Sequence, residues 1–278
     1  RLPEQVRSAL ESFSVPEYKR LEGQPYGVGF DGKERRQCIH RTPETACVFG
    51  VAEWPKIITT GDSFAGVFDY ALHEALGGDG LLAQTYEQCP LLVDPIWFGN
   101  VPECWEINKR RWAILQRLPP AAVLVGTNFH QFFHANQSHD SFSPGDVNRT
   151  DALAKEAVYA SFRGAITKLV ALGHKPIVLL QPPHVPMNVA KEFQRRVQEQ
   201  QWIFHEEYGA TADRGIDAEV RAALLDIPGV IFIDLHEVLC RAEACLTFNR
   251  DGGLFNNGSH LSAAGVRLLL PKILQHLH

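Results

Sequence analysis

The chain has no surplus of positive charge. Its 27 lysines and arginines are outnumbered by 32 aspartates and glutamates, for a formal net charge of −5. The basic footprint that nucleic-acid partners require is therefore missing. Lys109-Arg110-Arg111 and Arg195-Arg196 lie in helix-patterned stretches, where they read as solvated faces. No apolar run approaches the roughly 18 residues of a membrane span, so direct membrane insertion of this segment is not expected. No cysteine pair has the CxxC spacing of a zinc site. Internal repeats and low-complexity tracts are absent. The chain opens at Arg1 with neither methionine nor a signal peptide, and the expectation is a processed protein or an excised domain.

What is present is a sizeable apolar fraction, 45% of 278 residues, enough for a large core. Five short runs rich in β-branched residues read as strands: Lys56 to Thr60, Leu81 to Thr85, Ala121 to Val125, Pro176 to Leu180 and Val230 to Asp234. Helical spacing recurs between most of them. It runs from Phe64 to Leu76 with Gly77-Gly78 as the stop, then over Glu106 to Leu118, Asp151 to Leu172 and Lys191 to Tyr208. Ser262 can cap a final helix carrying Val266, Leu269, Leu270, Ile273, Leu274 and Leu277. Strand alternating with helix implies an α/β fold with a parallel sheet covered on both faces. Ligands in such sheets bind beyond the carboxyl ends of the strands. Residues 1–52 lack this rhythm and read as an extension packed on a main domain of residues 53–278.

Three positions carry candidate chemistry. Ser63, in Gly61-Asp62-Ser63, follows the first strand and opens a helix, where backbone N–H groups point outward and negative charge is favoured. Such an entrance can supply a nucleophile and part of an oxyanion hole; the bland reading makes Ser63 an N-cap and Asp62 a turn residue. Asn128, in Gly126-Thr127-Asn128, follows the third strand and faces the same edge, with an amide able to donate to an oxyanion. His260, in Ser259-His260-Leu261-Ser262, precedes the final helix and is the type of base that activates serine. Phe129 to Thr150 is a long polar loop of the functional kind. Its His130, His134 and His139 invite a metal reading, but no strong helical pattern supports it. Phe129, Phe132, Phe133, Trp97 and Trp105 are candidates to line a sugar or acyl site, with buried core as the default. The six cysteines fall in three close pairs, open to two readings: disulfides in an oxidising compartment or buried thiols.

In order and spacing, the GDS, GxN and HLS blocks resemble the SGNH hydrolase superfamily, also called GDSL esterases. Cys89-Pro90, Cys104 and the Cys240/Cys245 pair ahead of the HLS block are similar to the periplasmic SGNH domain attached to membrane acyltransferase-3 proteins, which O-acetylate lipopolysaccharide O-antigen and related glycans. Cys38 and Cys47 fit the extension joining that domain to its membrane part. The resemblance implies a flavodoxin-like three-layer α/β/α sandwich around a central, mainly parallel five-stranded sheet. It implies disulfides Cys38–Cys47, Cys89–Cys104 and Cys240–Cys245, and a periplasmic location tethered to the inner membrane. Ser63 matches the nucleophile, His260 the base, and Ser63 N–H, Gly99 and Asn128 the oxyanion donors. No metal or organic cofactor is implied. The expected partners are the membrane acyltransferase-3 domain as acetyl donor and a glycan acceptor. A secreted carbohydrate acetylesterase is the alternative.

One position departs from the family. The acid three residues before the histidine is here Asn257, in Asn257-Gly258-Ser259-His260. An amide can hold an imidazole but cannot supply the charge that stabilises its cation. Three accounts are open. Asn257 replaces a native aspartate; or the site is a Ser–His dyad or draws on another acid such as Asp251; or the domain is catalytically weak and mainly binds glycan.

Overall fold

The computed structural model describes residues 2–4, 6–7, 9–10, 27–28, 34–35, 42–49, 55–77, 80–98, 101–133, 143–144, 151–201, 205–211 and 214–277. The main sheet has eight strands in chain order: β1 (Gly27–Val28), β2 (Glu34–Arg35), β3 (Cys47–Phe49), β4 (Ile57–Gly61), β5 (Leu81–Thr85), β6 (Ala122–Gly126), β7 (Lys175–Leu179) and β8 (Ile231–Ile233). Across the sheet they run β8-β7-β6-β4-β5-β3-β1-β2. The five expected strands form a parallel block from β8 to β5, each bound within a residue or two of the range read from the sequence. Beyond β5 the sheet continues antiparallel through β3, β1 and β2, all within residues 1–52. The sheet is thus wider than the five strands expected, through three short strands of the N-terminal stretch.

Period-2 alternation divides the core into two layers. Ile57, Leu81, Leu124 and Ile177 face one side; Ile58, Leu82, Val123 and Val178 face the other. The first side is covered by α2 (Asp69–Ala75), α5 (Val189–Gln198) and α7 (Ala263–Leu274), and the second by α3 (Cys104–Leu115), α4 (Asp151–Ala171) and α6 (Gly215–Leu224). The four-residue α1 (Ser63–Gly66) precedes α2, so the Phe64-to-Leu76 stretch holds two helices. Helix α5 ends at Gln198, well short of Tyr208. Its apolar positions, Val189, Phe193 and Val197, stop there, and Gln200 takes φ 60°. Glu207–Thr211 is instead a strand. It pairs with Ala244–Asn249, which pairs in turn with Cys240–Arg241 and Gly252–Gly253 in a small sheet.

Disulfides join Cys89 to Cys104 and Cys240 to Cys245. Cys47 is also disulfide-bonded, and Cys38 lies outside the described residues. Among the described residues no helix is long and apolar enough to cross a membrane.

The register sets the rim on which the site is built. Gly61 pairs with Thr85 on one side and Gly126 on the other, so three strands end level. Gly61 has φ 110°, and a Cβ there would lie 2.0 Å from Gly126 O. A Cβ on Gly126 would lie 2.9 Å from Ala65 N. Only glycine at both positions lets α1 close down on the ends of β4 and β6.

Candidate active site

Asp62 is the residue on which the rim is assembled, and it is 1% exposed. Its Oδ1 accepts the N–H of Phe64 at 2.8 Å and caps α1. Its Oδ2 accepts the Thr127 hydroxyl at 2.7 Å and the N–H of Asn128 at 2.8 Å. A single carboxylate therefore joins the turn after β4 to the turn after β6. Burial raises its pKa to about 6, opposed by the three donors and by Arg111. At neutral pH it is ionised. Sequence reasoning left Asp62 as a turn residue.

Behind it, Arg111 corrects the reading of Lys109-Arg110-Arg111 as a solvated face. The guanidinium is fully buried. It donates to Gln84 O at 3.0 Å, Cys89 O at 3.1 Å, Asn108 Oδ1 at 3.0 Å and Gly61 O at 2.8 Å. Burial lowers its pKa to about 9, with the Asp62 charge opposing, so it remains a cation at neutral pH. The signal was in the helical phase. Cys104, Ile107, Asn108, Arg111, Trp112 and Leu115 form one buried stripe of α3.

Ser63 and His260 meet at this rim. Ser63 Oγ lies 2.8 Å from His260 Nε2, across 197 positions of sequence. The Phe64 ring packs on the imidazole with centroids 4.7 Å apart. Burial holds the His260 pKa below its ordinary 6.5, and Glu87 acts in the opposite direction. The loop is braced by Asn256 N–H to His260 O at 2.8 Å, and Ser262 caps α7 as expected.

Asn257 occupies the other side of the ring. Its Oδ1 accepts the N–H of Ser259 at 2.9 Å and of His260 at 2.7 Å, while its Nδ2 lies 3.1 Å from His260 Nδ1. Reversing the amide would set its NH2 against two N–H donors, so the orientation is determined. Nδ2 therefore donates to Nδ1, and in the neutral ring the proton sits on Nε2, facing Ser63 Oγ. That tautomer cannot accept the serine proton. Asp251 is exposed, and the Nδ1 partner is Asn257, so Asp251 does not supply the acid.

Ser63, His260, Asn128, Glu87, Gln88 and Gln131 line a single cleft of about 220 Å³. Asn128 Oδ1 accepts the N–H of Gln131 at 3.2 Å. Glu87, Gln88 and Gln131 carried no motif in the sequence. Gly99, His134 and His139 lie outside the described residues. Phe129, Phe132 and Phe133 are core, not cleft: all are 1% exposed or less, and they pack edge-on with Phe162, Phe98 and Tyr159. His130 sits in the same short helix, Phe129–Phe133, and its N–H donates to Gln181. Trp105 is half-buried beneath Lys109. Among the described residues one set, Asp217, Asp234 and His236, has the grouping of metal ligands. Arg221 and Arg214 pair with Asp234 at 3.1 and 3.6 Å, and His236 Nδ1 lies 3.1 Å from Asp217. Asp234 is thus held by two partly exposed arginines, and the set shares no residue with the cleft.

A Ser–His contact at the carboxyl rim of a parallel sheet, with an asparagine in the same cleft, can carry acyl transfer. The chain is similar in fold to solved structures. The periplasmic domain of the Salmonella ser. Paratyphi A lipopolysaccharide acetyltransferase is 20% identical, over 81% of this chain and 84% of that one, with TM-score 0.54. An acetylxylan esterase mutant from Geobacillus stearothermophilus is 13% identical, over 82% and 95%, with TM-score 0.40. Comparison with curated proteins gave no match. The family model described as SGNH domain (fused to AT3 domains) matches residues 33–275, nearly the whole chain, and the protein belongs to that family.

Proposed function

We propose that this domain moves an acyl group, acetyl by likeness to its relatives, through an ester on Ser63 to a glycan hydroxyl. The observation that carries the reading is the 2.8 Å contact between Ser63 Oγ and His260 Nε2 within the cleft. Ser63 attacks the acyl carbonyl, and His260 takes its proton and returns it to the leaving group. Ser63 N–H and the Asn128 amide, both at the cleft, stabilise the oxyanion; Gly99 is the third donor by family resemblance. The acceptor hydroxyl then attacks the ester, with His260 again as base. The cleft's polar lining of Glu87, Gln88 and Gln131 suits a hydroxyl-rich acceptor.

His260 becomes a base only when Nδ1 carries the proton. With Asn257 this requires giving up the Nδ2–Nδ1 bond or turning the amide against two backbone donors, at a cost of about 1–3 kcal/mol. The domain as encoded is thus a slow transferase. The donor side is a membrane acyltransferase-3 domain, and the site faces the periplasm in the full protein. Water as acceptor makes the same site an acetylesterase.

The test is hydrolysis of an activated aryl acetate by the chain and by Ser63→Ala, followed by the same assay with oligosaccharide acceptors. Loss of turnover in Ser63→Ala and acetylated sugar as product are expected. Equal rates for the two proteins would remove the enzyme reading.

A further inference from the structure

Asn257 is followed by Gly258. An asparagine amide carbon is an electrophile, and the next backbone nitrogen reaches it through a five-membered ring. Glycine puts no Cβ in the path of that closure. The site admits little else: a Cβ on Gly258 would lie 3.0 Å from Val185 O and 3.2 Å from His184 Cε1. Asn257 Oδ1, on which negative charge builds when the nitrogen adds to Cγ, already receives the N–H groups of Ser259 and His260 at 2.9 and 2.7 Å. Paired backbone donors on a carbonyl oxygen are what stabilise a tetrahedral oxyanion. Asn256 to His260 are half-buried, so water reaches the segment.

We infer that Asn257 is a self-modification site, where deamidation converts the amide to a carboxylate and completes a Ser63–His260–Asp triad. This rests on the reading of the cleft as an acyl-transfer site. The Gly258 nitrogen gives up its proton as the N–Cγ bond forms, and Nδ2 leaves as ammonia, giving a cyclic imide. Water opens the ring. Cleavage of N–Cγ gives aspartate with the main chain unchanged; cleavage at the main-chain carbonyl gives isoaspartate. The net change is one water taken up and one ammonia released, without oxidation or reduction. In the aspartate product one oxygen keeps the Ser259 and His260 N–H groups. The other replaces the NH2 opposite Nδ1 and accepts its proton. Nε2 is then free to accept from Ser63. The isoaspartate product, one carbon longer in its main chain, displaces His260 and gains nothing.

The experiment ages the purified chain in mildly alkaline buffer. Peptide mapping follows the gain of about 1 Da at position 257, and aryl acetate turnover is read on the same samples. Turnover is expected to rise with the aspartate fraction, by about 10²–10⁴-fold per converted molecule. Asn257→Gln, whose ring closure is slower, is expected to gain neither mass nor rate. A fresh Asn257→Asp protein is expected to start at the high rate. If Asn257→Asp is fast while aged wild type converts without gaining rate, or does not convert, this inference alone falls. If Asn257→Asp turns over no faster than Ser63→Ala, the acyl-transfer reading falls and takes this inference with it.

Discussion

Asn257 Nδ2 lies 3.1 Å from His260 Nδ1, and the amide is locked there because its oxygen is bound by the two backbone N–H groups that follow. The imidazole faces two donors, the Asn257 NH2 and its own Nε2 proton, in the places where a base needs a proton on one side and a lone pair on the other. Asn257→Asp restores both. It is expected to raise kcat by about 10²–10⁴-fold. It also moves the acidic limb of the rate profile upward. Burial now depresses the His260 pKa, so its neutral form persists into acid; a carboxylate at position 257 favours the cation and raises that pKa. A pH–rate profile of both proteins checks the shift, and limbs at the same pH would show that Asn257 does not govern the ring.

Asp62 links the nucleophile turn to the asparagine turn. Asp62→Asn keeps the volume but places an NH2 against one of its two donor sets, Phe64 N–H or Asn128 N–H with Thr127. The loss is expected to be about 1–3 kcal/mol in stability, with kcat lowered about tenfold or more as Asn128 drifts from the oxyanion. Denaturant titration together with steady-state kinetics separates the two. An unchanged kcat would place Asn128 outside the chemistry.

The parallel block was legible because strands buried on both faces are written as short β-branched runs, as in Ile57-Ile58-Thr59-Thr60 and Ala122 to Val125. Ser63 and His260 were legible because each stands where such a run, or a polar loop, gives way to helical spacing. The small sheet was not. Glu207–Thr211 carries little apolar alternation, and its pairing with Ala244–Asn249 shifts register twice, so no period announces it. The short helix Phe129–Phe133 was not legible because it opens a stretch with no helical period, whereas the default reading of its aromatics as core holds: all three are buried. Asp62 and Arg111 were missed for a common reason. Charge suggests surface, and their burial is permitted only by acceptors and donors that come from distant parts of the chain.

Arg111 is accordingly a position where a conservative change fails. Its fork reaches the carbonyls of Gly61, Gln84 and Cys89 together with the Asn108 amide, and a lysine cannot span them. Arg111→Lys and Arg111→Leu are both expected to lose about 1–3 kcal/mol or more, because buried carbonyl acceptors are left unpaired. Chemical denaturation measures this directly. A loss below about 1 kcal/mol would mean that these carbonyls find other partners.

Asp69 gives the fold a pH dependence of unusual sign. Its carboxyl is buried between the hydroxyls of Thr59, at 2.5 Å, and Thr85, at 3.0 Å, and burial raises its pKa from 3.8 to about 7. Between those values the folded chain holds a proton that the unfolded chain has released. Stability therefore falls as pH rises through the interval, where salt-bridged carboxylates act in the opposite direction. Asp62, raised to about 6, contributes with the same sign over a narrower range. Asp69→Asn removes the larger of the two. The difference in unfolding free energy between wild type and Asp69→Asn is expected to change by on the order of 2–4 kcal/mol from pH 4 to pH 7, in favour of the variant. Parallel stability curves over that interval would show that Asp69 ionises at its ordinary pKa and that its burial is relieved by water.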